Sequence, residues 1–161
     1  MERGIVSFIV VVFVIAIAGF AINWFENEPE FIFKDANIYE YNEFMTSGEA
    51  SELGLEGGFG NYFKYSGDFN IEIDYLKLED ILKYEITVEL INTSASNILI
   101  YSETITEPST LTIVSQFPQT DFFDDDYEEA ILIIKVTYLD RRGNEVVYST
   151  TRIINVDEDF F

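Results

Sequence analysis

Residues 130–139 read AILIIKVTYL and residues 145–156 read EVVYSTTRIINV, with DRRGN (140–144) between them. Both runs are rich in Ile, Val, Thr and Tyr, whose branched or aromatic side chains pack well on a pleated surface. The turn between them is short and polar, with Gly143 in its fourth place. A glycine there supplies the positive-φ backbone that a tight reversal needs. The unit reads as a β-hairpin and sets the expectation for the rest of the chain.

Working upstream, the same period of two recurs. In KYEITVEL (83–90), Tyr84, Ile86, Val88 and Leu90 alternate with Lys83, Glu85, Thr87 and Glu89, the pattern of a half-buried antiparallel strand. In FNIEIDY (69–75), Phe69, Ile71, Ile73 and Tyr75 share one face. Residues 97–106 and 110–117 form two more strands, split at Glu107-Pro108-Ser109, and residues 61–65 form a short one. Phe31-Ile32-Phe33 and Ile38-Tyr39 read as one broken strand. TSGEASELGLEGGFG (46–60) reads as a polar, Gly-rich loop, and no segment past residue 25 reads as a helix. Seven to eight strands with turn signals every ~8–12 residues predict an all-β, antiparallel, immunoglobulin-like β-sandwich. ELINTSASNILIYSETIT (89–106), followed by the VTYLDRRGNEV hairpin (136–146), resembles the adhesion-type immunoglobulin-like modules of archaeal and bacterial surface proteins. The Cys-Trp-Cys framework of a strict immunoglobulin domain is missing, since the chain has no Cys and its one Trp, Trp24, lies outside this region, so the sandwich is expected to be held by core packing alone.

The opening of the chain is of another kind. Between Arg3 and Glu26 no side chain is charged, and the stretch 4–25 is 22 residues long. As a helix it would span about 33 Å, matching a hydrocarbon core of ~30 Å. Trp24 falls at one end, where an indole favours the membrane interface, and Arg3 at the other. The chain therefore divides into an N-terminal membrane anchor helix, residues 1–25, and an acidic domain, residues 26–161. With Arg3 on the cytoplasmic side, the domain is extracytoplasmic on a single-pass protein of the cell membrane.

Three fates of the opening segment compete: a retained signal anchor, a cleaved secretory signal cut after Ala16-Ile17-Ala18, and a filament stem. Arg3-Gly4 followed by Ile5-Val6-Ser7 resembles the processing site of archaeal type IV pilins and archaellins. That resemblance implies cleavage before Ile5 and a hydrophobic stem that packs into a filament, or an accessory role in an archaellum-type machine. The stem departs from that family in lacking Pro and an early Glu. Ala16, Ala18, Gly19 and Ala21 would let two such helices approach closely.

Composition bounds the chemistry. Thirty acids face nine bases, giving a formal charge of −21, all of it in residues 26–161. Such a surface repels nucleic acid and favours cations, basic protein surfaces or a high-salt medium. With no Cys and no His, thiol chemistry, Cys or His zinc sites and imidazole-based triads are excluded. Gly54 to Gly60 lacks the Lys-Ser/Thr of a phosphate-binding loop. The acidic run DFFDDDYEE (121–129) offers Asp121, Asp124, Asp125, Asp126 and Glu128 as candidate Ca²⁺ ligands, since hard cations take clustered carboxylates. The alternative is a solvated loop that guards a strand edge. Within that run, Phe122 and Phe123 are expected to fold back onto the core. Asn92-Thr93-Ser94 is the single glycan acceptor triplet, and the C-terminal residues 157–161 read as a frayed tail. The expected role is non-enzymatic, without a cofactor: an envelope structural or interaction module with a protein partner or self-association.

Overall fold

The computed structural model describes residues 28–119 and 121–158. The segment 1–25, with Arg3, Gly4 and Ile5, lies outside them, as does the end of the tail. Among the described residues no helix is long and apolar enough to cross a membrane.

Seven strands form one mixed sheet: β1 (Glu30–Met45), β2 (Gly60–Asp74), β3 (Ile81–Leu90), β4 (Ile98–Ile105), β5 (Thr112–Phe117), β6 (Glu129–Leu139) and β7 (Glu145–Glu158). Their order is β4-β3-β6-β7-β1-β2-β5, and the sheet curls nearly into a barrel. The fold is all-β. Five neighbouring pairs are antiparallel, and β1 with β7 is parallel over Ile38↔Val156 to Glu40↔Glu158, where the expectation was of antiparallel pairing throughout. The hydrophobic pattern fixes which face of a strand is buried, but it carries no sign for the direction of the neighbour.

Alternation builds the core. On β6, Ala130, Leu132, Ile134 and Val136 are fully buried, and β3 contributes Tyr84, Ile86, Val88 and Leu90 in register with them. Across the interior, β2 supplies Tyr65, Phe69, Ile71 and Ile73, β1 supplies Ile38, and β5 supplies Ile113 and Phe117. The β6–β7 hairpin forms as its residues dictate. Gly143 has φ +77°. The Asp140 carboxylate accepts from the backbone N–H groups of Arg142 and Asn144, both at 2.8 Å, and from Asn144 Nδ2 at 2.9 Å. Those bonds, the Asn144 side chain first, hold the Asp140 carboxyl below its ordinary pKa.

Two apparent breaks in the pattern are absorbed inside long strands. At Lys34 a bulge between Phe33 and Asp35 shifts the register and β1 continues. At Ser66-Gly67-Asp68 the chain stays in strand, because the Phe117 ring of β5 lies opposite Gly67 and fills the space its missing side chain leaves. The 61–65 segment and residues 69–74 are therefore one strand, which ends before Tyr75.

A short α-helix, α1 (Ser47–Glu52), stands where a structureless loop was expected. Its signal is Thr46-x-x-Glu49, a capping box: the Thr46 N–H donates to Glu49 Oε2 at 2.9 Å, and the Glu49 N–H donates to Thr46 Oγ1 at 3.5 Å. Ala50 buries that turn against Met45 and Tyr62.

The topology defines two ends. At the near end lie the start of β1, the 75–80 and 106–111 connections and the 140–144 turn. At the far end lie residues 46–59, 91–97, 118–128 and the close of β7.

Candidate functional site

The far end is organised by one inward-pointing acid. Glu40 follows Ile38 on the buried face of β1 and sits in register with Tyr65 of β2 and Glu158 of β7. It is only 6% exposed. The Tyr65 hydroxyl donates to Glu40 Oε2 at 2.9 Å and accepts the Tyr127 N–H at 3.1 Å. The acidic run is thereby tied to the barrel wall. Phe123 reinforces the tie: it exchanges two backbone hydrogen bonds with Phe63, at 2.9 and 2.7 Å, and its ring centroid is 5.8 Å from that of Tyr65.

These surroundings set the protonation of the acid. Burial, which penalises the charged form, pushes the Glu40 carboxyl above its ordinary pKa. The hydrogen bond from Tyr65 opposes that shift, while the charge and hydrogen bond of Asp126 and the charge of Glu158 add to it. Burial next to Glu40 likewise pushes the Tyr65 phenol far above its usual range, and burial beside Asp125 and Asp124 raises Tyr127.

Asp126 is the member of the acidic run that the fold brings to Glu40; Asp121, Asp124, Asp125 and Glu128 are exposed on the rim. Among the described residues no three acidic side chains come together so as to hold a metal ion. Phe122 and Phe123 both fold inward, as expected. Phe122 packs on the Met45, Ala50 and Tyr62 cluster, with Lys64 Nζ 4.9 Å from its ring centroid, and Phe123 packs on the main core. Two open grooves flank the run. One, of about 600 Å³, runs past Glu40, Glu43, Lys64, Asp126 and Glu158. The other, of about 460 Å³, lies between Asn92 and the 125–129 segment. Asn92 is half-buried there, and its side-chain oxygen accepts from the N–H groups of Ser94 at 2.9 Å and Ala95 at 3.1 Å, capping the β3–β4 turn. The arrangement presents a strongly negative surface around a buried carboxyl whose pKa is raised.

Glu40 is absent from the residues that the sequence singles out by motif, although it carries a signal of its own. In NIYEY (37–41) a period of two places Glu40 on the same face as Ile38, an acid on an apolar stripe.

No family model, no curated protein and no solved structure matches this chain.

Proposed function

We propose that this is a single-pass membrane protein whose acidic β domain, held on the extracytoplasmic side, serves as a non-enzymatic structural or protein-interaction module of the cell envelope. The observation that carries this reading is the uncharged 22-residue stretch 4–25, placed just ahead of the first strand at Glu30. A run of that length and hydropathy has lipid as its natural solvent. The strand order supports the finer reading of an immunoglobulin-like sandwich. Strands β5, β2 and β1 make one layer and β4, β3, β6 and β7 the other, with a short parallel seam between β1 and β7. An acid-rich far end suits a partner with a basic surface, and it is unsuited to nucleic acid. The absence of His and Cys from the chain supports a binding role over catalysis.

A second reading has its own observation, Arg3-Gly4 directly before Ile5. In it the stem is processed and the protein is a subunit or accessory of a type IV pilus or archaellum-type filament. Mass spectrometry of the mature N-terminus, with fractionation of membranes, separates the readings. Met1 retained in a carbonate-resistant membrane fraction supports the anchor. A start at Ile5 moves the assignment to the filament. A start at Gly19 in a soluble fraction overturns both.

A further inference from the structure

The charges of the domain are not spread evenly along its axis. Connections at the far end, residues 46–59, 91–97 and 118–128, contain no Lys or Arg, while those at the near end carry Lys77, Arg141 and Arg142. Both ends expose apolar side chains, Tyr75, Leu78 and Leu82 at the near end and Phe44, Leu53 and Phe59 at the far end, so the bases and the tether, and not exposure, separate them. Tyr75 is 56% exposed and adopts φ +65°, the one positive-φ residue other than glycine among those described. A bulky side chain in that region is strained, and here the strained backbone turns an aromatic outward at the end of β2. Tyr75 and Lys77 border a cleft of about 150 Å³ whose opposite wall includes Tyr138 and Arg141.

The near end is also where β1 begins. Five peptide steps separate Phe25, the last residue of the apolar stretch, from Glu30. Fully extended, they reach at most about 18 Å. The far end lies a whole strand away, and the sixteen residues of β1 run for roughly 50 Å.

We infer that the near end is a membrane-seating surface, with Tyr75, Leu78, Lys77, Arg141 and Arg142 among the lipid headgroups and the acid-rich end held away from the bilayer. This rests on the membrane reading above, and the tether length is what makes one end, and not the other, reach the lipid. Tyrosine has an apolar body and a polar tip suited to the interface, and long basic side chains lay their stems on acyl chains while their heads meet phosphates. Carboxylates at the same end do not oppose this seat uniformly. Asp140 is engaged by its own turn, Asp74 accepts the Tyr75 N–H at 2.8 Å and Asp80 lines the cleft with Lys77 and Arg141, while Glu79 and Glu107 are exposed. The surface therefore fits a headgroup layer, which offers both phosphate and choline or amine, better than a purely anionic sheet.

The chain contains no Cys, so single labels are unambiguous. The test uses the full chain reconstituted in vesicles of phosphatidylcholine and phosphatidylglycerol at three to one, on the order of physiological anionic content. Leu78→Cys reports on the near end and Leu53→Cys, exposed at the far end, on the opposite one. Each carries a nitroxide, and collision with oxygen is compared with collision with a water-soluble nickel complex. The expected result is a several-fold higher oxygen-to-nickel ratio at position 78 than at 53, lowered toward the value at 53 when Arg141 and Arg142 are both replaced by Glu. Quenching of Trp24 by brominated acyl chains is read in the same samples. A quenched Trp24 with equal ratios at 78 and 53 overturns the seat and leaves the anchor standing. An unquenched Trp24 overturns the anchor and the seat together.

Discussion

The Tyr65 hydroxyl donates to Glu40 at 2.9 Å across the β1–β2 pair and takes the Tyr127 N–H on its other side. One phenol thus joins two strands and the acidic run, and its loss would leave a buried acid and a buried N–H without their partner. Tyr65→Phe is expected to cost about 1–3 kcal/mol, the range for orphaned buried polar groups. Urea denaturation measures it, and Tyr62→Phe, whose hydroxyl donates to the Gly58 carbonyl on the satellite cluster, should cost less.

Glu40 makes the fold sensitive to pH with a definite sign. Its pKa is raised on folding, chiefly by burial. The folded chain therefore binds this proton more tightly than the unfolded one. The resulting stabilisation is complete below the unfolded-state pKa and is lost as pH rises through the folded value. Glu40→Gln keeps an acceptor for Tyr65 and removes the ionisation. Its Tm should exceed that of the native chain at pH 7, and the gain should vanish as pH falls to about 4, near the unfolded-state value of a glutamate. A thermal scan across that window reads the crossover, and a gain independent of pH would refute the role given to burial.

Gly67 is needed for want of room. A Cβ added there would lie 2.2 Å from Phe117 Cε1 and 2.7 Å from Phe69 Cζ. Both rings are fully enclosed and stack on one another at 6.0 Å, so neither can swing away. Gly67→Ala is expected to destabilise by about 1–3 kcal/mol, the usual cost of overpacking. In a double-mutant cycle with Phe117→Leu the two costs should fall short of additivity, since the smaller side chain vacates the contested space.

Net charge sets the response to salt. The ion pairs of Lys34 with Glu72, Lys64 with Glu43 and Lys83 with Glu85 are solvent-exposed at one partner or both and contribute little. Self-repulsion at a formal −21 outweighs them. Raising NaCl from about 10 to 150 mM shortens the screening length from ~30 to ~8 Å. Tm should rise over that range, opposite to a protein held by its surface pairs.

How much of this was written in the sequence depends on the range of the interaction. The β6–β7 hairpin was legible in full, because its turn chemistry at Asp140 and Gly143 and its alternation are local. The buried faces of β3 and of Phe69 to Ile73 were legible for the same reason. Tyr75 breaks that face, since the positive φ at the end of β2 turns it outward. The continuity of β2 through Gly67 was not legible, because the ring that fills the gap comes from a strand some fifty residues on. The capping box at Thr46 and Glu49 was present in the sequence, but polar and Gly-rich neighbours masked it. Glu40 stood on an apolar stripe in plain alternation, yet only the partner strand shows why an acid is tolerated there.

Closure of the sheet rests on side chains alone. β4 and β5 are its two edges, each bonded to a single neighbour. They meet where the Tyr101 ring stacks on Phe117, centroids 4.7 Å apart, and where the Tyr101 hydroxyl lies 2.7 Å from Ser115 Oγ. Glu103 Oε2 accepts from both hydroxyls, at 2.7 and 2.6 Å. Backbone groups along these edges are templates for pairing with another chain once the cover is removed. Tyr101→Ala should cost about 2–4 kcal/mol, below a fully buried aromatic because the side chain is half-exposed, and should bring concentration-dependent association. Leu99→Ala, two residues away on the same strand with its side chain outward, should stay within about 0.5 kcal/mol and remain unassociated. Urea titration and sedimentation velocity on both variants decide it: equal behaviour of the two would mean that the seam between β4 and β5 is not what closes the barrel.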